Sequence, residues 1–169
     1  MNEVSHDRGA VGAKSENAGR DRSQSPVLVA VDLGAESCRV SLLRWIGGQP
    51  EIRLVHRFAN SAHSDGNGLR WNMTAIRRGV EDGLRACAQL SPQGIAAVGV
   101  DGWAVDYVRL GADGQPVADP FCYRDERNVR AKDQVLSRIS ADRLYQLTGI
   151  QIITLNTLYQ LHADGAAVR

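Results

Sequence analysis

The sequence predicts an α/β fold, in the order three strands, a helix, two strands and a helical tail. Two apolar runs and one helical periodicity carry that reading. Val27 to Val31 runs apolar without alternation into Asp32, and Ile95 to Val100 runs likewise into Asp101. Between them Ile76, Val80, Leu84 and Cys87 recur at helical spacing, with Arg77, Arg78, Glu81 and Asp82 on the other side. Unalternating apolar strands are expected to be covered on both faces, and an amphipathic helix to lie on a sheet.

The first 25 or so residues are rich in Gly, Ser, Asn and charge, which predicts a disordered tail in which His6 is solvated. After Asp32 the chain turns through Gly34, whose missing side chain lets backbone approach a ligand. Cys38, Val40 and Leu42 then alternate with Arg39 and Ser41 as a second strand. The turn thus joins strand to strand. Neither GxxxxGK[ST] nor a GxGxxG opening a helix is present. What remains is a hairpin whose amides and hydroxyl can face phosphate oxygens, with Asp32 placed for a metal ion or its water. The plainer alternative is an ordinary hairpin with an acid at its turn.

Past the Gly47, Gly48, Pro50 turn, Ile52, Leu54, His56 and Phe58 alternate as a third strand, with His56 a packed strand histidine. Asn72 is read as the N-cap of the amphipathic helix. Gly79 and Gly83, four apart, permit close packing at a cost in helix propensity. After Asp101, a further strand is expected over Val105 to Leu110, before the Asp113-Gly114 turn. Trp103 and Asp106 stand just past a strand end, where open α/β sheets bind ligands; otherwise they are a core indole and a solvated turn acid. Arg124, Asp125 and Arg127 form either a clamp on a polar substrate or the first turn of a helix, and composition favours the helix. That helix runs through Lys132, Val135, Leu136 and Ile139. Ser140 caps a short helix carrying Leu144 and Leu147 and ended by Gly149. A last helix, Leu158 to about Ala163, follows Asn156.

At 169 residues and a net charge of +1, the chain suits one domain and offers little to a polyanion, so no nucleic-acid partner is expected. Three cysteines without a CxxC pair imply neither a disulfide framework nor a zinc site, which points to a reducing cytoplasm. No apolar run reaches the roughly 18 residues of a membrane span, and no signal-peptide core is present. A soluble protein that is not exported is expected.

Taken together, VAVDLGAESCR, HRFAN, GVDGWAVDYVRL, YRDER and TGIQ followed by NTLYQL resemble, in order, the N-terminal domain of the FGGY family of carbohydrate kinases, in its rhamnulokinase branch. The resemblance implies an actin-like ATPase fold of two ribonuclease-H-like domains, each a mixed sheet with flanking helices, with nucleotide and sugar in the cleft between them. It implies ATP-dependent phosphorylation of L-rhamnulose at its terminal hydroxyl, with Mg2+. By motif position, Ala35, Glu36, Ser37, Cys38 and Arg39 fall on the ATP-phosphate hairpin and Asp32 on the hydrated magnesium. Ala104 falls on the sugar contact, with Trp103 and Asp106 as neighbours.

Two departures stand out. Ser37-Cys38 replaces a Ser-Gly step, which is expected to add a side chain where backbone approaches phosphate. Gly102-Trp103-Ala104 replaces Thr-Trp-Gly, removing a hydroxyl and adding a methyl in the sugar pocket. The family's catalytic base and adenine pocket belong to its second half, so no catalytic residue is assigned here. Residues 26–169 are expected to be a truncated N-terminal domain with little activity alone, whose exposed apolar surface leads to low solubility, self-association or docking on a separately encoded C-terminal half. Two rival readings are a non-catalytic sugar- or nucleotide-binding module and a metal-dependent nuclease using Asp32 and Asp101. The balanced charge argues against the nuclease.

Overall fold

The computed structural model describes residues 26–165, so the N-terminal tail, including His6, lies outside the described residues. Strands β1 (Val27–Leu33), β2 (Ser37–Ile46), β3 (Gln49–Ala59) and β6 (Ile95–Gly102) form a mixed sheet in the order β3-β2-β1-β6. The first three run antiparallel, and β6 pairs parallel to β1. Gly47 and Gly48, both at positive φ, make the two-residue turn that joins β2 to β3. A parallel partner needs a crossover, and helix α1 (Met73–Gln89) supplies it. Asn72 caps α1, its side chain accepting from the Ala75 amide. The two-residue strands β4 (His63–Ser64) and β5 (Leu69–Arg70) form a small hairpin ahead of the helix, which periodicity gave no means to see.

The core lies between α1 and one sheet face. Val27, Val29, Val31, Val40, Leu42 and Cys87 are buried together, with Val55, Val80 and Leu84 packed on them. Burial along β1 therefore alternates, and Ala30 is exposed, which corrects the expectation of a strand covered on both faces. The correction is larger at β6. This strand sits at the sheet edge, while α1 packs over β1, β2 and β3. Val98 and Val100, on the α1 side by register, are 48% and 66% exposed.

The third strand departs from its reading for a local reason. The β2–β3 register shifts between Val40 and Ser41, whose partners are His56 and Leu54, so Val55 is an extra residue. The bulge reverses the alternation. Val55 turns into the core, while Leu54 and Ile52, which the alternation groups with His56 and Phe58, are 53% and 71% exposed. His56 stays half-buried and stacks on Phe58, with ring centroids 5.6 Å apart.

The expected strand at Val105 to Leu110 is absent. Residues 103–126 form a long connection whose regular pairing is limited to two isolated bridges, Leu110 with Pro116 and Phe121 with Arg70. Helices α2 (Arg127–Leu136), α3 (Ala141–Thr148) and α4 (Thr157–Asp164) follow. Ser140 caps α3 and left-handed Gly149 ends it, as read; α2 stops before Ile139. Ala131, Val135 and Tyr159 close a second core between α2 and α4. No helix among the described residues is long and apolar enough to cross a membrane.

Asp164 ties α4 to this connection by accepting from Tyr107 and Arg127, with Arg109 at 3.7 Å. Burial works to raise the Asp164 pKa, but the Tyr107 and Arg127 hydrogen bonds and the two guanidinium charges outweigh it and hold the carboxyl below its ordinary value. Tyr107 is pushed up to about 12 by burial and by Asp164. A depressed carboxyl contributes stability that is complete above the unfolded pKa, near 4, and is lost as pH falls through the folded value. Asp164→Asn is therefore expected to lower the urea midpoint at pH 7 and to flatten its fall below about pH 4. An acid limb as steep as the parent's would refute this role.

Candidate functional site

The site is built at the ends of β1 and β6, where Leu33 pairs with Gly102 and the Leu33 carbonyl accepts from the Trp103 amide at 3.1 Å. The hairpin after β1 is tight. A Cβ on Gly34 would meet the Ser37 carbonyl oxygen at 2.5 Å, so the close approach that demands glycine is to the chain's own backbone. Asn60, buried at the end of β3, holds the turn from behind. Its amide nitrogen Nδ2 donates to the Gly34 carbonyl at 2.9 Å, and its backbone N–H donates to the Glu36 carbonyl at 3.0 Å.

Cys38 does not project into the space in front of the hairpin. It shares the core face of β2 with Val40, is fully buried, and its thiol points back to the Gly34 carbonyl at 3.8 Å. Burial pushes its thiol pKa up, which keeps it protonated at neutral pH. The expected side-chain obstruction is thus corrected, since strand alternation sends residue 38 inward and residues 37 and 39 outward.

In front of the hairpin is an open concavity of about 470 Å³ lined by Gly34 to Ser37, Arg39, Arg57 and Arg124. Asp32 borders it, paired with Arg39 at 2.7 Å, both side chains about half exposed. Across the strand pair Asp101 is the in-register neighbour of Asp32. No group of three or more metal-ligating side chains is present among the described residues. One or two carboxylates suit a magnesium ion that keeps most of its water, so Asp32 and Asp101 fit a hydrated ion and not a caged one.

The second part of the site is a carboxylate held by two indoles. Asp106 Oδ2 accepts from Trp71 Nε1 at 2.6 Å and Trp103 Nε1 at 2.9 Å, and the two rings lie 4.7 Å apart. Asp106 Oδ1 is buried without a hydrogen-bond partner. Trp71 and Cys122 are fully buried, and Ala35 and Trp103 pack on the cluster they form with Ile76, which brings the hairpin and this carboxylate to one apolar support. Ala104 is exposed beside them. Val105 then takes φ 74°, a conformation strained for a β-branched residue. It is held by α4, because its carbonyl accepts from Thr157 Oγ1 at 2.6 Å and Gln160 Nε2 at 3.2 Å.

The residues read as ATP, metal and sugar contacts therefore come together at one sheet end. The suggested charged clamp divides. Asp125 is buried and bonded to the Leu69 and Arg127 amides, and Arg127 lies over Phe121 against Asp164, whereas Arg124 faces the hairpin. Reading from sequence missed Asn60, Trp71 and Arg57. The arginine sat in HRFAN as one more outward strand residue, and Trp71 carried no signal beyond preceding the cap.

One end of the mixed sheet thus bears a tight hairpin and, beside it, a carboxylate held by two tilted indole rings. The chain belongs to the FGGY family of carbohydrate kinases: the model of the family's N-terminal domain matches residues 27–162. Among curated relatives it is 40% identical over 132 residues to a rhamnulokinase of Bacteroides thetaiotaomicron, covering 78% of this chain and 27% of the relative. It is 41% identical over 140 residues to that of Pectobacterium atrosepticum, covering 80% and 28%. The chain thus spans little more than a quarter of these relatives' length. Solved structures share the fold: a gluconate kinase from Lactobacillus acidophilus at TM-score 0.71 and 16% identity, covering 85% of this chain and 29% of that one. A Plasmodium falciparum glycerol kinase with ADP follows at 0.62 and 12%, covering 85% and 30%.

Proposed function

We propose that residues 26–169 are the phosphate-cradling part of an ATP-dependent rhamnulokinase, which transfers the terminal phosphoryl group of ATP to the terminal hydroxyl of L-rhamnulose. The observation that carries this reading is the juxtaposition of the hairpin with the Trp103–Asp106 corner in a chain about 40% identical to rhamnulokinases. The sugar oxygen bonds to phosphorus as the bond from phosphorus to the bridging oxygen breaks, and ADP leaves. Such chemistry depends on positioning and charge neutralisation. Ala35 to Arg39 hold the phosphates, and Ala104, Trp103 and Asp106 shape the sugar side. Asp32 would hold hydrated Mg2+, which supplies further neutralisation when bound. Arg39 engages only Oδ2 of the half-exposed Asp32 side chain, which leaves Oδ1 for the water shell of such an ion. No residue of this chain is assigned as the base that takes the hydroxyl proton. This reading requires a C-terminal half that carries the base, whether in the same polypeptide or in a separate one, and a cytoplasmic location suits it.

A chimera tests the reading. Residues 27–162 are grafted in place of the matching segment of the Pectobacterium atrosepticum rhamnulokinase and assayed with L-rhamnulose, xylulose, gluconate and glycerol. Turnover of L-rhamnulose above the other three is expected, with none from the 169-residue chain alone. A folded chimera that binds ADP yet prefers another of these sugars, or turns over none, would refute the assignment.

A further inference from the structure

Three guanidinium groups converge on the hairpin concavity, and the proposed function uses only that of Arg39. Register places Asp101, Asp32, Arg39 and Arg57 in one row across β6, β1, β2 and β3, so two carboxylates are neighbours and two guanidiniums are neighbours. Like charges facing each other across strands are destabilising. Asp32 balances Arg39 only. Among the described residues Arg57 has no carboxylate partner, and its hydrogen bond goes to the Ser37 hydroxyl at 3.2 Å, which turns it toward the hairpin. Arg124 reaches in from the far wall, after Tyr123, and lies 3.8 Å from the Glu36 carboxylate, a loose contact with an acid that is 85% exposed. The concavity thus carries more positive than negative charge and offers planar forks, which match phosphate oxygens two at a time.

Building on the hairpin's proposed role, we infer that Arg57 and Arg124 are phosphate-binding residues that close this site around the terminal phosphates of a nucleoside di- or triphosphate. Arg57 binds from the strand side, where the Ser37 hydroxyl orients it, and Arg124 from the loop side. Both guanidiniums line the hairpin concavity, so their contribution is to nucleotide affinity.

Titration calorimetry of the chain with inorganic pyrophosphate, ADP, adenosine and fructose 1-phosphate, in low salt, tests this. Pyrophosphate and ADP are expected to bind, with adenosine and the ketose phosphate at least about tenfold weaker. Arg57→Gln and Arg124→Gln are each expected to weaken pyrophosphate about tenfold, with Arg57→Lys in between. Both side chains are exposed, and circular dichroism checks that the variants fold. If Arg39→Gln abolishes binding while the Arg57 and Arg124 variants match the parent, the inference falls and the hairpin reading stands. If the parent binds neither pyrophosphate nor ADP, both fall. Fructose 1-phosphate binding as well as ADP would assign the site to sugar phosphates and overturn the nucleotide inference.

Discussion

Gly83→Val is expected to lower stability by about 3 kcal/mol, the top of the usual range for overpacking. A Cβ at this position would lie 2.5 Å from Val40 Cγ2 and 2.7 Å from Val40 Cβ. Val40 is fully buried at the centre of the sheet-facing core, with Val31 paired on one side and His56 on the other, so it has nowhere to go. Helix propensity works the other way, but replacing glycine gains only about 1 kcal/mol even for alanine, and less for a β-branched residue. Overpacking therefore wins at Gly83. Gly79 is the contrasting case. Its Cβ would meet the Phe58 ring at 2.6 Å, but that ring is half-buried and can rotate outward. Gly79→Ala is expected to be near neutral. Urea midpoints of both variants decide the matter, and a Gly83→Val chain as stable as the parent would show that α1 stands further from the sheet than described.

The second large effect is at the indole pair. Asp106→Leu removes the acceptor of two indole N–H groups, one on a fully buried ring. Each stranded donor costs about 1–3 kcal/mol. Against that, the unpartnered Oδ1 already carries a burial penalty that leucine relieves. A net loss of about 3 kcal/mol is expected, accompanied by loss of the near-ultraviolet dichroism of the coupled rings. Asp106→Asn keeps one oxygen for the indoles and is expected to fall between parent and leucine variant. Equal losses in the two variants would show that the indole bonds are not what Asp106 contributes.

Much of this site was legible because strand alternation and caps are local. Cys38, Val40 and Leu42 turn inward, Asn72 and Ser140 cap, and the two glycines of α1 meet the sheet as their spacing suggested. What failed depended on neighbours. Periodicity describes a strand's own faces and says nothing about whether a second layer covers it, so β6 was read as buried although its valines are open. One extra residue at Val55 reversed the faces of β3, and nothing in its composition announces a bulge. Val105 to Leu110 is rich in strand formers, yet the chain there follows the pull of α4 and not its own propensity.

That pull has a consequence for cooperativity. The peptide at Val105 holds its left-handed turn only while Thr157 and Gln160 grip its carbonyl, and Tyr107, two residues on, is tied to Asp164 at the other end of the same helix. The segment that presents Ala104 and Asp106 therefore cannot keep its shape if α4 lifts away. Order in the Ala104–Asp106 segment and docking of a helix some fifty residues downstream form a single local folding unit, so hydrogen exchange would see them open together.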